Sequence, residues 1–111
     1  MRDHRKLKVF EKADALVMLV YRVTRFFPVE ERFGLSSQLR RAVMSIASNI
    51  VEGSARSSRK EYCRFLEMAH ASAREVEYQL SVSSRLGYFS ERPETRGSRE
   101  EGDGKNELRD A

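Results

Sequence analysis

Residues 38–56, QLRRAVMSIASNIVEGSAR, constrain the fold more than any other stretch. Stepped at about 100° per residue, as in an α-helix, Gln38, Arg41, Ser45, Asn49 and Glu52 fall in one polar row, which Arg56 joins if the helix continues. Leu39, Ala42, Val43, Ile46 and Ile50 gather on a second face, and Met44, Ala47 and Val51 carry the apolar arc round a third. A helix apolar on two sides needs two neighbours to keep water from both. Arg40 projects beside Ala47 and Val51 rather than into the row; it could snorkel from an interface or meet an acidic group such as Glu75 or Glu77 across one, and its role is open at this point.

Helices on either side are legible. Phe10, Ala13, Val17, Val20, Tyr21 and Thr24 recur at three- and four-residue intervals, predicting a first helix from about Lys8 to Phe27 with Pro28 as its stop. In the connection PVEERFGL, Gly34 is free to take a positive φ, Ser36 or Ser37 can cap the second helix, and Gly53 marks its exit. Ser58 to Glu61, SRKE, forms a capping box that opens a third helix with apolar face Tyr62, Phe65, Leu66, Ala69, Ala73, Val76 and Leu80, ending at Gly87. Three helices joined by short loops pack antiparallel, so the fold class is all-α, an up-down helical bundle in one domain over residues 1–90. Residues 91–111 hold 12 charged side chains, three glycines and only Leu108 and Ala111 as apolar groups. They bury too little to offset the entropy of ordering, which predicts a disordered tail.

The net charge of +4 divides unevenly. Residues 1–90 carry 16 Lys and Arg against 10 Asp and Glu, net +6, whereas residues 91–111 carry five against seven, net −2. A basic body favours RNA, DNA or an acidic protein surface. Arg2, Arg5, Lys6, Lys8, Arg22, Arg25, Arg59, Lys60 and Arg64 are the candidate phosphate contacts; taken singly, each also reads as ordinary solvated charge. The polar row reads better as a hydrogen-bond network between helices or subunits, with Glu52 paired to an arginine, than as a ligand site.

Catalytic patterns are missing. His4, His70 and Cys63 share no metal-ligand spacing, no serine has a histidine placed to activate it, and Gly53 stands alone rather than in a phosphate-binding loop, so neither metal, cofactor nor enzyme activity is expected. The neighbours of Cys63 suggest helix packing and an inert thiol. Tyr62 and Phe65 belong to the core stripe rather than to base stacking, which leaves Tyr78. No apolar run is long enough to span a bilayer and no signal peptide is visible, so a cytoplasmic protein is expected.

The segments LKVFEKA at 7–13, FPVEERFGLSSQLRRAVMSIASNIVEGSAR at 27–56, and EYCRFLEMAHASAREVEYQL with LGY at 86–88 resemble a bacterial four-helix-bundle family. That family includes the proteins encoded by intervening sequences within large-subunit ribosomal RNA genes. The resemblance implies an antiparallel bundle, commonly a ring-like pentamer. A related protein, the accessory variability determinant of diversity-generating retroelements, implies a basic oligomer that binds nucleic acid and a reverse transcriptase. The family's fourth helix has no counterpart in the residues after Ser90, which lack helical periodicity. A three-helix remainder exposes a groove, to be covered by a neighbouring subunit unless the gene has shifted frame or decayed near its end.

Overall fold

In a computed structural model residues 2–90 are described, and among them helices are the only regular structure. The order is a 3-10 turn at His4–Lys6, α1 at Lys8–Thr24, a second 3-10 turn at Val29–Glu31, α2 at Leu35–Ser54 and α3 at Arg59–Arg85. The tail expected to be disordered lies outside the described residues, as does any remnant of a fourth helix.

α1 ends three residues before the expected Phe27. The Phe26 amide donates to Val23 O and that of Phe27 to Thr24 O, tightening the chain into three-residue spacing ahead of Pro28. This swings Phe27 into the core beside Tyr88 and Phe89, with ring centroids 5.2 and 6.3 Å away. An aromatic ring buried among others outweighs one more helical turn. Val23 is buried in place of the expected Tyr21, which is exposed.

The start of α2 overturns two expectations. Gly34 has φ −109°, not positive, and Ser36 and Ser37 lie inside the helix instead of capping it. The cap comes from upstream: Glu31 Oε1 accepts from the Leu35 amide at 2.9 Å. A Cβ at Gly34 would stand 2.6 Å from that oxygen, so the glycine provides room for the carboxylate. The other oxygen, Oε2, accepts from the Tyr88 hydroxyl at 2.9 Å, tying the α1–α2 connection to the exit of α3. The Leu35 amide and then the Tyr88 hydroxyl hold Glu31 below its ordinary pKa, while the same carboxylate raises that of Tyr88. A depressed carboxylate stabilises the fold above its unfolded pKa, and this contribution is lost as pH falls through the folded value. Thermal melts of Glu31→Gln should therefore lose less stability than wild type between neutral pH and pH below the carboxylate range; parallel acid profiles would contradict the assignment.

Gly53 does not end α2, which continues to Ser54. It lies buried against α3, where an added Cβ would meet Phe65 Cβ at 2.7 Å. α3 opens as expected, with Ser58 Oγ accepting from the Glu61 amide at 3.0 Å. It closes with Gly87 at φ 84°, the Gly87 amide donating to Ser84 O and the Tyr88 amide to Ser83 O, a glycine-dependent reversal that satisfies two terminal carbonyls.

α2 is the central element and packs antiparallel on both neighbours, as Arg40 against Thr24 and Ser45 against Ser72 fix. Val20, Leu39, Val43, Ile50 and Val76 are its almost fully enclosed core. The third side of α2 is only partly covered: Ala47 packs on the core, but Met44 is 43% exposed. The backbones of α1 and α3 do not approach each other. Between them runs an apolar groove of about 390 Å³, floored by Ile46 and Ile50 and walled by Ala13, Leu16, Leu66 and Ala69. This is the open groove that a three-helix remainder was expected to leave. Among the described residues no helix is long and apolar enough to cross a membrane.

Candidate nucleic-acid interface

The polar row of α2 divides along its length. In its half-buried part, the Ser45 and Ser72 hydroxyls share a hydrogen bond of 2.9 Å, and Asn49 Nδ2 donates to Ser45 O at 2.8 Å and to Ser45 Oγ at 3.1 Å. Gln79 Nε2 donates to Gln38 Oε1 at 3.2 Å and to Glu75 Oε2 at 3.3 Å. Ser45 and Gln38 thus meet α3, while the Asn49 amide stays on its own helix, braced against Ser45. The network is incomplete, because Gln79 Oε1 is buried without a partner among the described residues, a deficit of about 1–3 kcal/mol.

The charged members depart from expectation. Arg41 and Glu52 are exposed, and Glu52 makes no ion pair among the described residues. At that level of α2, Gly53 lies buried against Phe65 while Glu52 beside it faces solvent. Arg56 instead lies over the Phe65 ring, 4.8 Å from its centroid. Arg40 meets neither Glu75 nor Glu77. Its Nε donates to Thr24 Oγ1 at 2.8 Å, its Nη2 to Tyr21 O at 3.4 Å, and its guanidinium covers the Tyr21 ring at 4.6 Å. It joins α1 to α2 within the chain.

The candidate phosphate contacts separate into two groups at opposite ends of the bundle. The antiparallel order brings the start of α1, the end of α2 and the start of α3 together, and with them Arg2, Arg5, Lys6, Lys8, Arg59, Lys60 and Arg64. Arg2 anchors this pole: its amide donates to Ser54 O at 2.8 Å, its Nη1 to Arg56 O at 3.1 Å, and its guanidinium sits 3.9 Å from the Tyr62 centroid. Arg64 also lies over the Phe65 ring, 5.5 Å from its centroid. Both aromatic rings are therefore roofed by arginines, which hold guanidinium groups at the surface while shielding the rings. Arg5 is engaged differently. It donates to both carboxylate oxygens of Asp3, which lowers the Asp3 pKa and raises its own. Residues 2–12 and 52–67 carry nine Lys and Arg against five Asp and Glu, a local excess of +4. Arg5–Asp3 is the one ion pair within this pole among the described residues.

Arg22 and Arg25 stand at the far end instead, where α1 hands over to α2. An open pocket of about 650 Å³ lies there, lined by Arg25, Arg32, Phe33, Ser36, Ser37 and Arg40. Sequence reasoning passed over Arg32 and Phe33 as connection residues. Their signal was the repeated Arg-Phe neighbours, at 25–26 and again at 32–33.

Elsewhere the chemistry is sparse. His4 packs edge-on against Phe10 at 4.9 Å, and His70 borders the apolar groove. Among the described residues no three His, Cys, Asp or Glu gather as a metal ion would need. Cys63 is exposed on α3 rather than packed. Phe65 is buried and Tyr62 half-buried, whereas Tyr78 faces solvent.

A sequence-family model described as 23S rRNA-intervening sequence protein matches residues 5–100. No curated protein matches the chain.

Proposed function

The chain belongs to the 23S rRNA-intervening sequence protein family, and from that premise we propose that it is a non-enzymatic, homo-oligomeric helical protein of the cytoplasm that binds RNA or DNA through its basic pole. The single observation that carries this reading is the gathering of seven of the nine candidate cations at one end, with Arg56 added to them. Arg2 and Arg56 are held there by carbonyl and ring contacts, not by carboxylates that would cancel them. Each exposed cation binds a phosphate weakly. Repetition round a ring of copies, five in the arrangement the resemblance implies, multiplies weak contacts into useful avidity. The open apolar groove supports association with further copies or with a processing partner of the reverse-transcriptase kind.

Filter binding of structured RNA, single strands and duplex DNA to the full chain tests the reading. Retention should fall linearly in log–log form as salt rises. The double substitution Arg59→Glu with Lys60→Glu should weaken duplex retention at least ten-fold and flatten the salt slope by roughly 1.8, about 0.9 per lost phosphate contact. Absence of salt-dependent retention for all three at low ionic strength removes the proposal.

A second reading, a protein-interaction scaffold without nucleic acid, is favoured by the same groove and by exposed Met18 and Leu19 on α1. A partner captured equally well before and after nuclease treatment supports it over the first.

A further inference from the structure

At the end of the molecule opposite the basic pole, an aromatic ring stands in water. Phe33 is 87% exposed, next to the pocket that it lines with Arg25, Arg32 and Arg40. Leaving such a ring uncovered forgoes a large apolar burial, and a solvent-facing loop gains nothing by carrying it. No carboxylate lines the pocket. Glu31 is occupied by the Leu35 amide and the Tyr88 hydroxyl, Glu30 is exposed on the 3-10 turn, and Glu75 lines a separate pocket on the other side of Phe33 and Ser37. Among the described residues the three guanidinium groups have no ion-pair partner. Arg32 lies over the Phe33 ring at 5.5 Å and Arg25 over the Phe26 ring at 5.9 Å, so each cation stands on a planar face. Arg40 is fixed in direction by Thr24 and Tyr21 and still has unspent N–H donors.

We propose that this corner pocket binds one unpaired nucleotide of a single strand, its phosphate held by Arg25, Arg32 and Arg40 and its base stacked on Phe33. The inference rests on the nucleic-acid reading above and adds to it a preference for single strands. A duplex offers phosphates but keeps its base faces stacked inside, so it has nothing to lay on Phe33; a single strand offers both groups within one nucleotide. An acidic peptide would satisfy the cations too, but the paired guanidinium-on-ring arrangements present flat surfaces suited to a planar base. Ser36 and Ser37 at the pocket wall supply hydroxyl donors for the remaining phosphate oxygens.

The test uses the full chain and fluorescence anisotropy with labelled oligouridylate, labelled oligothymidylate and a labelled DNA duplex. Phe33→Ala removes a side chain that packs on almost nothing, so the fold should persist. It should weaken single-strand binding about ten-fold, the scale of one lost stacking contact, and leave duplex binding within two-fold. Arg32→Ala should flatten the single-strand salt slope by about 0.7. If Phe33→Ala leaves single-strand affinity unchanged while the Arg59→Glu, Lys60→Glu chain loses it, the pocket assignment fails and the basic pole stands. If the wild-type chain binds none of the three probes, the broader reading fails and takes this one with it. Displacement of the labelled strand by a phenylalanine-containing acidic peptide at lower concentration than by unlabelled strand would also overturn the assignment, giving the pocket to a protein ligand.

Discussion

Gly53→Val is expected to lower unfolding stability by about 3 kcal/mol, read from urea titration by far-ultraviolet circular dichroism. The new Cβ would sit 2.7 Å from Phe65 Cβ, and that atom is fixed to the α3 backbone rather than being the free end of a flexible side chain. Relief therefore requires the two helices to part where Gly53 now lets them touch, and the buried Phe65 ring moves with them. Gly53→Ala poses the same contact without the added methyl groups. Its gain in helix propensity, about 1 kcal/mol, offsets part of the strain, so its loss should be smaller. An alanine variant more stable than wild type would show that α2 and α3 can separate freely at this level.

The second large effect concerns which side of α2 is inside. Leu39→Ala should cost about 2–5 kcal/mol in the same titration, because Leu39 is 0% exposed and its removal leaves a cavity between packed helices. Met44→Ala, on the partly uncovered third side of α2, should stay within about 0.5 kcal/mol. Comparable losses at both positions would mean that another surface covers Met44, as a firmly associated second copy would.

These expectations separate what periodicity carries from what it does not. Spacing alone picked out Phe65, Ala69 and Val76 as the inner face of α3 and Ser58 as its cap, since both signals are local and repeat or terminate within a turn. Glycine was read less well. A glycine serves either a positive φ or a close approach, and letters do not distinguish them: Gly87 needs the first, while Gly34 and Gly53 need the second. The cap of α2 was hidden for a related reason, because Glu31 reaches it from a separate turn four residues upstream. In the polar row, Ser45 meets Ser72 on α3 while Asn49 turns back to Ser45 on its own helix, and Arg40 found Thr24 and Tyr21 on α1 rather than acids on α3. A helical wheel gives the direction of a side chain and not the neighbour it meets. The basic pole is a product of chain reversal: Arg2 and Arg56 are 54 positions apart in sequence and hydrogen-bonded in space. Arg32 and Phe33 escaped notice because a solvent-facing ring has no period to announce it.

The separation of the α1 and α3 backbones reaches beyond the groove it opens. Most helical packing among the described residues joins chain neighbours, α1 with α2 and α2 with α3, so much of the contact surface closes over short loops. Such a topology can assemble by successive hairpins, with the far-reaching contacts of Arg2 on Tyr62 and of Tyr88 on Glu31 closing its two ends.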